Sequence, residues 1–265
     1  MNLILVRREI KSNLFSALMF FGVIALYVVC IVIMYDPSLE ASLSTMQEAM
    51  PELFAAFGMA SPTTTLVDFM VNYLQKFLLV LFPLAFMLMA VHKKLVKPLE
   101  SGSLAFTLAL PLTRRCIVLS FIGAFAALLI GLLVATTLCE IACAALLFPG
   151  DLDVSALLRA NAGLLGLWLF MGGLVFLGVC VLSRPDRGFF AGAGVCLLFY
   201  LMGMLADLQK DWDILKVANP YELYQATDLV SNTAGAVTDA LLLGAIGCGL
   251  FALGVLAFTR RDLSV

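Results

Sequence analysis

Long apolar runs constrain this sequence more than any other feature, because few folds can accommodate them. A helix needs about 20 consecutive apolar residues to cross the hydrocarbon core of a bilayer. Hydrophobic residues form 63% of this 265-residue chain and charged residues 13%, whereas soluble domains hold about 45–50% and about 25%. A soluble core could not bury so much apolar surface, so we expect an all-α membrane protein of one domain. Six transmembrane helices are predicted, over approximately residues 14–34, 69–92, 115–138, 161–183, 188–207 and 236–258.

The third of these runs extends from Cys116 to Phe148 and contains one charged residue, Glu140. As a single helix it would measure about 50 Å, which is more than one span requires. Division into two spans would reverse the direction of everything that follows and scatter the basic residues over both sides. We therefore predict one span, with Glu140 near the outer headgroups. A carboxylate within an apolar run indicates a functional site, and Glu140 is a candidate for lining a transport pathway.

Basic residues are distributed unequally between the two sides of this six-span arrangement. Twelve of the sixteen Lys and Arg residues fall on the side of both chain ends, against four of the eighteen Asp and Glu residues. Basic loops favour the cytoplasmic side of a membrane. The bias predicts cytoplasmic N- and C-termini and a multi-pass protein of the plasma membrane. The twelve are Arg7, Arg8, Lys11, Lys93, Lys94, Lys97, Arg114, Arg115, Arg184, Arg187, Arg260 and Arg261.

Three further segments accompany the spans. Residues 1–13 combine basic and apolar side chains and predict an amphipathic helix that lies along the inner interface ahead of the first span. Residues 36–71 and 207–234 form longer, more polar insertions on the opposite side. Apolar residues recur at helical spacing in the first insertion, and tyrosines of the second suit a membrane interface. We expect amphipathic helices on the outer surface in both.

Polar residues line the start of the second span. Its apolar part is short for a bilayer, so we expect the helix to begin near Thr65. That start places Asp68, Asn72, Gln75 and Lys76 along one helical face. The favoured interpretation is a solvated outer extension of the helix. The alternative is a polar wall of an outward cavity, or of the contact with a second subunit.

The connection between the second and third spans, from Lys93 to Arg115, holds five of the basic residues. Its middle, Ser101–Leu110, is apolar but too short to cross a membrane. Ser101 can cap a short helix, Pro111 disfavours helical geometry at the residue before it, and Thr113 can cap the next helix. We predict a short helix on the cytoplasmic face that docks another protein.

The sequence lacks the common motifs of nucleotide-binding, hydrolytic and metal sites. It contains no phosphate-binding G-x-x-x-x-G-K-[ST] motif and no HExxH or GxSxG motif. The single histidine, His92, falls at the cytoplasmic end of a span. Cys139 and Cys143 share a helical face but lack the further ligands of a metal site, and the basic residues form no nucleic-acid-binding pattern. We predict no catalytic residue, metal or cofactor in this chain.

Four stretches of the sequence resemble the permease subunits of ABC-2-type transporters. These are ESGSLAFTLALPLTRR after the second span, the outer PELFAAFG and NPYELY segments, and the terminal TRRDL. In that family the loop after the second span carries an acid, a glycine two residues on, a leucine-rich helix and Pro-x-x-Arg. The residues at those positions here are Glu100, Gly102, Leu104, Leu108, Pro111 and Arg114.

The resemblance implies a coupling helix over Glu100–Leu110 that seats in a groove of a separate ATPase, which would hold ATP and Mg²⁺. It also implies a dimer with a second permease subunit, the same or homologous, and export as the chief direction of transport. Family substrates range over drugs, antimicrobial peptides, lipids, polysaccharides and ions. The residues expected to couple to the ATPase are Lys97, Glu100, Ser101, Gly102, Ser103, Leu104, Phe106, Leu108, Leu110, Pro111 and Arg114.

Two other functions are consistent with a six-span chain. An ion-coupled carrier or channel that works alone would make Glu140 and the stripe Asp68, Asn72 and Lys76 central to transport. A membrane anchor that recruits a soluble partner would depend on the docking helix and tolerate substitutions in the spans.

Overall fold

A computed structural model describes residues 1–35, 45–46, 49–50, 65–103, 112–208 and 218–260. These residues contain no strand, and six of their helices are long and apolar enough to cross a membrane. The prediction of an all-helical chain with six helices able to span a membrane is thereby confirmed. The helices are α1 (Leu3–Met34), α2 (Leu66–Glu100), α3 (Arg114–Leu147), α4 (Val154–Val181), α5 (Pro185–Leu208), the short α6 (Ala226–Val230) and α7 (Ala236–Arg260).

Helix α4 occupies the centre of the bundle. It packs against α2, α3, α5 and α7, and 67% of its apolar span is buried inside the protein. Asp153 starts the helix, because its carboxylate accepts hydrogen bonds from the backbone N–H groups of Ser155 and Ala156 at 2.9 and 3.1 Å. An Asp in this position satisfies backbone donors that the first turn leaves free.

Glycines bring α4 into backbone contact with its neighbours. A Cβ atom on Gly173 would lie 2.7 Å from the carbonyl oxygen of Gly247 in α7, and one on Gly178 would lie 2.5 Å from that of Gly188 in α5. Lipid supplies no hydrophobic drive for helix association, so helices in membranes rely on such close approach. Gly192, one turn after Gly188, makes a similarly close contact, since a Cβ atom there would lie 2.7 Å from the Cα of Val175 in α4.

Helix α2 is irregular at three places. Its hydrogen bonding widens to π-helical turns over Val71–Gln75 and His92–Val96, and Pro83 lies within its central segment. Proline has no N–H, so the carbonyl four residues earlier loses its helical partner. That carbonyl belongs to Leu79, and it accepts a hydrogen bond of 2.8 Å from the indole Nε1–H of the buried Trp168 in α4.

The N-terminal segment differs from its prediction. Instead of a separate interfacial helix over residues 1–13, the structure has one unbroken helix from Leu3 to Met34. The side chain of Asn2 caps it by accepting from the N–H of Ile4 at 2.9 Å. Residues 3–13 include no Gly or Pro, so nothing in the local sequence stops helical hydrogen bonding at the membrane boundary.

Three other boundaries also needed correction. Helix α3 ends at Leu147, nine residues beyond the predicted end at 138, because its apolar run continues without a break. Helix α4 begins at Val154, seven residues before the predicted start at 161, and α2 continues to Glu100, eight residues beyond the predicted end at 92. Charged residues concealed the extensions of α2 and α4. In α4 the guanidinium of Arg159 donates to the carbonyl oxygens of Leu229 and Val230 at 3.1 and 3.0 Å. The charged side chain is thereby bound beside α6, and α4 continues through Arg159 without interruption.

The remaining predicted elements either agree with the structure or lie outside the described residues. The apolar run after Thr113 forms the single helix α3, and α7 begins at Ala236, as predicted. Thr113 caps α3 by accepting from the N–H of Cys116 at 3.3 Å. The amphipathic helices predicted between α1 and α2 fall largely outside the described residues. The second insertion contains a 3₁₀ turn at Pro220–Leu223 followed by α6.

The contact between α4 and α7 gives a first prediction. In Gly247→Ala the new Cβ would lie 2.6 Å from the backbone nitrogen of Phe170, so the helices must separate, and overpacking of this kind costs about 1–3 kcal/mol. We expect a lower midpoint of thermal unfolding in detergent. Gly249→Ala, where nothing lies within 4 Å, is the matched control and should leave the midpoint unchanged or raise it.

Candidate functional site

A buried cluster of polar side chains lies at the end of the bundle where α3 finishes and α4 begins. It comprises Gln75 from the first π-helical turn of α2, Thr137 and Glu140 from α3, Asn161 from α4 and Tyr224 from the segment before α6. All five are buried, and Glu140 and Gln75 are fully so. We call these five residues the Glu140 cluster.

Hydrogen bonds join the cluster into one chain. The Tyr224 hydroxyl donates to Gln75 Oε1 at 2.9 Å, and Gln75 Nε2 donates to Asn161 Oδ1 at 2.7 Å. Asn161 Nδ2 then donates to both Glu140 Oε2 and Thr137 Oγ1, at 2.7 and 2.9 Å. The single amide of Asn161 therefore connects α2, α3 and α4.

Glu140 is the least satisfied member of the cluster. Its Oε1 is buried and has no hydrogen-bond partner, while Oε2 has the amide of Asn161. Among the described residues no Lys, Arg or His forms an ion pair with the Glu140 carboxyl. A buried carboxylate without a partner costs several kcal/mol. This oxygen can accept a proton or contribute to binding a small cation.

Tyr224 ties the cluster to the connection between α5 and α7. Burial, and secondly the nearby Glu140 carboxyl, raise the pKa of Tyr224. Its phenol therefore stays protonated and keeps donating to Gln75 throughout the physiological range. The sequence had suggested an interfacial tyrosine, whereas the structure buries it against α2 and α4.

The polar stripe at the start of α2 does not form the solvated extension that was favoured. Asn72 and Gln75 are fully buried inside the protein, whereas Asp68 and Lys76 are half-buried. The helix begins next to Thr65, as predicted, and Thr65 caps it by accepting from the N–H of Asp68 while its hydroxyl donates to the Asp68 carboxylate. The π-helical turn explains the difference, because the N–H of Lys76 bonds to Val71 O five residues back and so alters the direction of the residues around it.

Three members of the cluster were missed as functional residues: Thr137, Asn161 and Tyr224. A signal existed for one of them. Glu140 lies seven residues before the end of α3, and Asn161 lies seven residues after the start of α4. A short connection makes these helices antiparallel neighbours, so equal distances from it place the two side chains level. Glu140 itself was predicted as a site residue, and its place in a pathway stays a prediction.

Those predicted docking residues that the structure describes lie at the opposite end of the bundle. Lys97 and Glu100 are exposed in the last turn of α2, and Ser101, Gly102 and Ser103 are exposed after it. Ser101 is the C-cap of α2, since its N–H bonds to Lys97 O at 3.0 Å, and the following helix that it was predicted to cap lies outside the described residues. Gly102 has φ of 67°, the left-handed conformation that commonly ends helices.

Arg114 is exposed in the first turn of α3. The other predicted coupling residues, Leu104, Phe106, Leu108, Leu110 and Pro111, lie outside the described residues.

Contacts bring the starts of α1 and α3 and the end of α2 together at this end. Lys93 Nζ donates to Ser12 O at 3.3 Å, and Lys94 Nζ lies 3.0 Å from Glu9 Oε2. The backbone N–H of Asn2 donates to the hydroxyl of Ser120 at 2.8 Å. We call this end of the bundle, where the basic residues of α1, α2 and α3 meet, the basic face.

Metal-binding groups are not assembled among the residues that the structure describes. No three His, Cys, Asp or Glu side chains there could hold one ion, and all seven cysteines are free thiols. Comparisons add no assignment, because the sequence matches no protein-family profile, no curated protein and no solved structure.

The central amide of the cluster gives a second prediction. Asn161→Leu removes the hydrogen bonds to Gln75, Thr137 and Glu140, and each buried group left unpaired costs about 1–3 kcal/mol. We expect a clearly lower thermal midpoint. The double variant with Glu140→Leu should recover part of the loss, because the unpaired carboxyl is then absent. Additive losses would contradict a direct interaction between Asn161 and Glu140.

Proposed function

We propose that this chain is the permease subunit of an ATP-driven ABC transporter of the plasma membrane, chiefly an exporter, with ATP and Mg²⁺ bound by a separate cytoplasmic ATPase. The observation that carries the proposal is the position of the α2–α3 connection. It leaves the bundle at the basic face, with Lys97, Glu100 and Ser101–Ser103 exposed. Docking to a partner requires an exposed element of this kind.

Helix α2 supports the proposal because it joins the two ends of the molecule. Its 35 residues run from Leu66 to Glu100, a length of about 52 Å at 1.5 Å per residue. One end carries the proposed docking segment, and the other carries Gln75 of the Glu140 cluster. Displacement of the segment by a partner would therefore move residues at the far side of the bundle.

The energy for transport would come from the partner. ATP binding and hydrolysis there would alternate the position of the segment Glu100–Leu110, and α2 would transmit the movement. A second copy of this chain, or a homologous permease, would complete the substrate pathway. The resemblance of the Glu100, Gly102, Leu104, Leu108, Pro111 and Arg114 positions to ABC-2-type permeases supports this assignment.

The docking proposal gives a third prediction. With the chain co-expressed with an ABC ATPase of the same genome that co-purifies with it, Leu104→Asp and Phe106→Asp should each reduce co-purification, because a charge would be buried in an apolar contact. If the substitution weakens the docking free energy by about 1.4 kcal/mol, the amount of retained ATPase should fall about tenfold. Met46→Asp, an exposed apolar residue between α1 and α2, is the control and should have no effect. Normal co-purification of both docking variants would refute the proposal.

Orientation gives a fourth prediction. In a variant that lacks the seven native cysteines, Ser101→Cys should react with a membrane-impermeant maleimide only after cells are permeabilised. Asp151→Cys, in the exposed turn between α3 and α4, should react in intact cells. The reverse pattern would place the basic face outside and exclude docking to a cytoplasmic ATPase.

An ion-coupled carrier is the second candidate, and the partnerless Oε1 of Glu140 favours it. Reconstitution separates the two functions. Flux through liposomes that contain this chain alone, abolished by Glu140→Gln, would support the carrier. Flux that requires the ATPase and ATP would support the permease.

A further inference from the structure

A cavity of about 470 Å³ opens at the basic face between four helices. Its polar lining comes from Arg8 and Glu9 of α1, Lys93 and Lys94 of α2, Ser103 and Ser120, and its apolar lining includes Ile117 and Phe121 of α3 and Phe258 of α7. We call it the basic cavity. It lies at the opposite end of the bundle from the Glu140 cluster.

The charged lining of the basic cavity is suited to an anion. Glu9 pairs with Lys94 at 3.0 Å, so one of the three cations is neutralised. Arg8 and Lys93 supply two further positive charges. Lys93 uses its ammonium group for one hydrogen bond, to Ser12 O, and an ammonium has three N–H donors. Donors and net positive charge therefore remain for a ligand.

The apolar lining is suited to a hydrocarbon chain. Ile117 and Phe258 are buried and lie near the ends of the apolar helices α3 and α7. Phe121 follows Ile117 by one helical turn. Lys93 and Lys94 are the first charged residues after the apolar stretch Phe77–Val91 of α2. The cavity thus extends across the boundary between apolar and charged surface, where the headgroup and first methylenes of a phospholipid lie.

We propose that the basic cavity binds one anionic phospholipid from the leaflet that borders the basic face, with its phosphate at Arg8 and Lys93 and an acyl chain along Ile117, Phe121 and Phe258. Basic pockets between transmembrane helices bind anionic headgroups by this combination of charge and apolar contact. A water-soluble phosphate compound would leave the apolar wall without a partner. The proposal does not depend on ATP-driven transport.

The bound lipid would also stabilise the end of α2. Lys93 and Lys94 belong to its second π-helical turn, and Ser103 begins the connection to α3. A headgroup held between α1 and these residues would fix the position from which the proposed docking segment leaves the bundle.

The test uses the full chain in phosphatidylcholine nanodiscs at physiological salt. Tryptophan is introduced as Phe121→Trp, and its fluorescence is titrated with phosphatidylglycerol brominated on the acyl chains. Saturable quenching is expected, without equal quenching by brominated phosphatidylcholine. Each removed cation should lower the binding free energy of the lipid by about 1 kcal/mol. The combined variant Arg8→Gln and Lys93→Gln should therefore bind about 30-fold more weakly.

Two controls make the result decisive. Arg7→Gln with Lys11→Gln removes the same charge from exposed positions of α1 that do not line this cavity. It should change the affinity by less than about threefold, because exposed side chains outside the cavity make no hydrogen bond to the headgroup and their field is screened by salt. Equal losses in both double variants would overturn the proposal, since general surface charge would then explain the binding. Displacement of the lipid by millimolar inorganic phosphate would likewise overturn it.

Folding of the variants is checked by the thermal midpoint. If the combined variant does not fold, Lys93→Arg keeps the charge and should retain selective quenching by phosphatidylglycerol, while Arg8→Gln alone should weaken it about fivefold. Absence of selectivity in the folded Lys93→Arg protein would refute the site. Transport and ATPase binding enter none of these measurements.

Discussion

Close backbone contact around α4 is the constraint on which the rest of the structure depends. Lipid is as apolar as the helix surfaces, so removing those surfaces from it contributes little to association. Gly173 and Gly178 instead let α7 and α5 approach until backbone atoms touch. The indole of Trp168 adds a hydrogen bond to the carbonyl that Pro83 leaves free. A proline that would weaken an isolated helix thus becomes a point of attachment between α2 and α4.

The two polar regions of the molecule have different physical characters. The Glu140 cluster is buried, joins α2, α3 and α4 and contains one partnerless oxygen. The basic face is exposed, carries most of the cations and includes a cavity with an apolar wall. Helix α2 contributes to both, through Gln75 near its start and Lys93 near its end. Its two π-helical turns lie at these positions, and such turns are frequent at functional sites.

Much of the fold could be predicted from the sequence, because the apolar runs determine the number and approximate positions of the helices that can span a membrane. The predictions failed where tertiary contacts compensate for local polarity. Arg159 lies inside α4 because the carbonyls of Leu229 and Val230 accept its hydrogen bonds. Gln75 and Asn72 are buried because a π-helical turn alters the helix register. Glu140 could be recognised as exceptional, but the place of Tyr224 in its cluster could not, since the hydrogen bond from Tyr224 to Gln75 joins distant parts of the chain.

The amide of Asn161 gives the Glu140 cluster a direction. In each hydrogen bond of the chain the donor lies on the Tyr224 side and the acceptor on the Glu140 side. Were Glu140 to take up a proton on the oxygen that faces Asn161, that amide would have to turn over and offer its oxygen instead. Gln75 would then turn over in sequence, and the phenol of Tyr224 would change from donor to acceptor. Protonation of the buried Glu140 carboxyl would thereby change the hydrogen bonding of the connection between α5 and α7, through amide rotations alone.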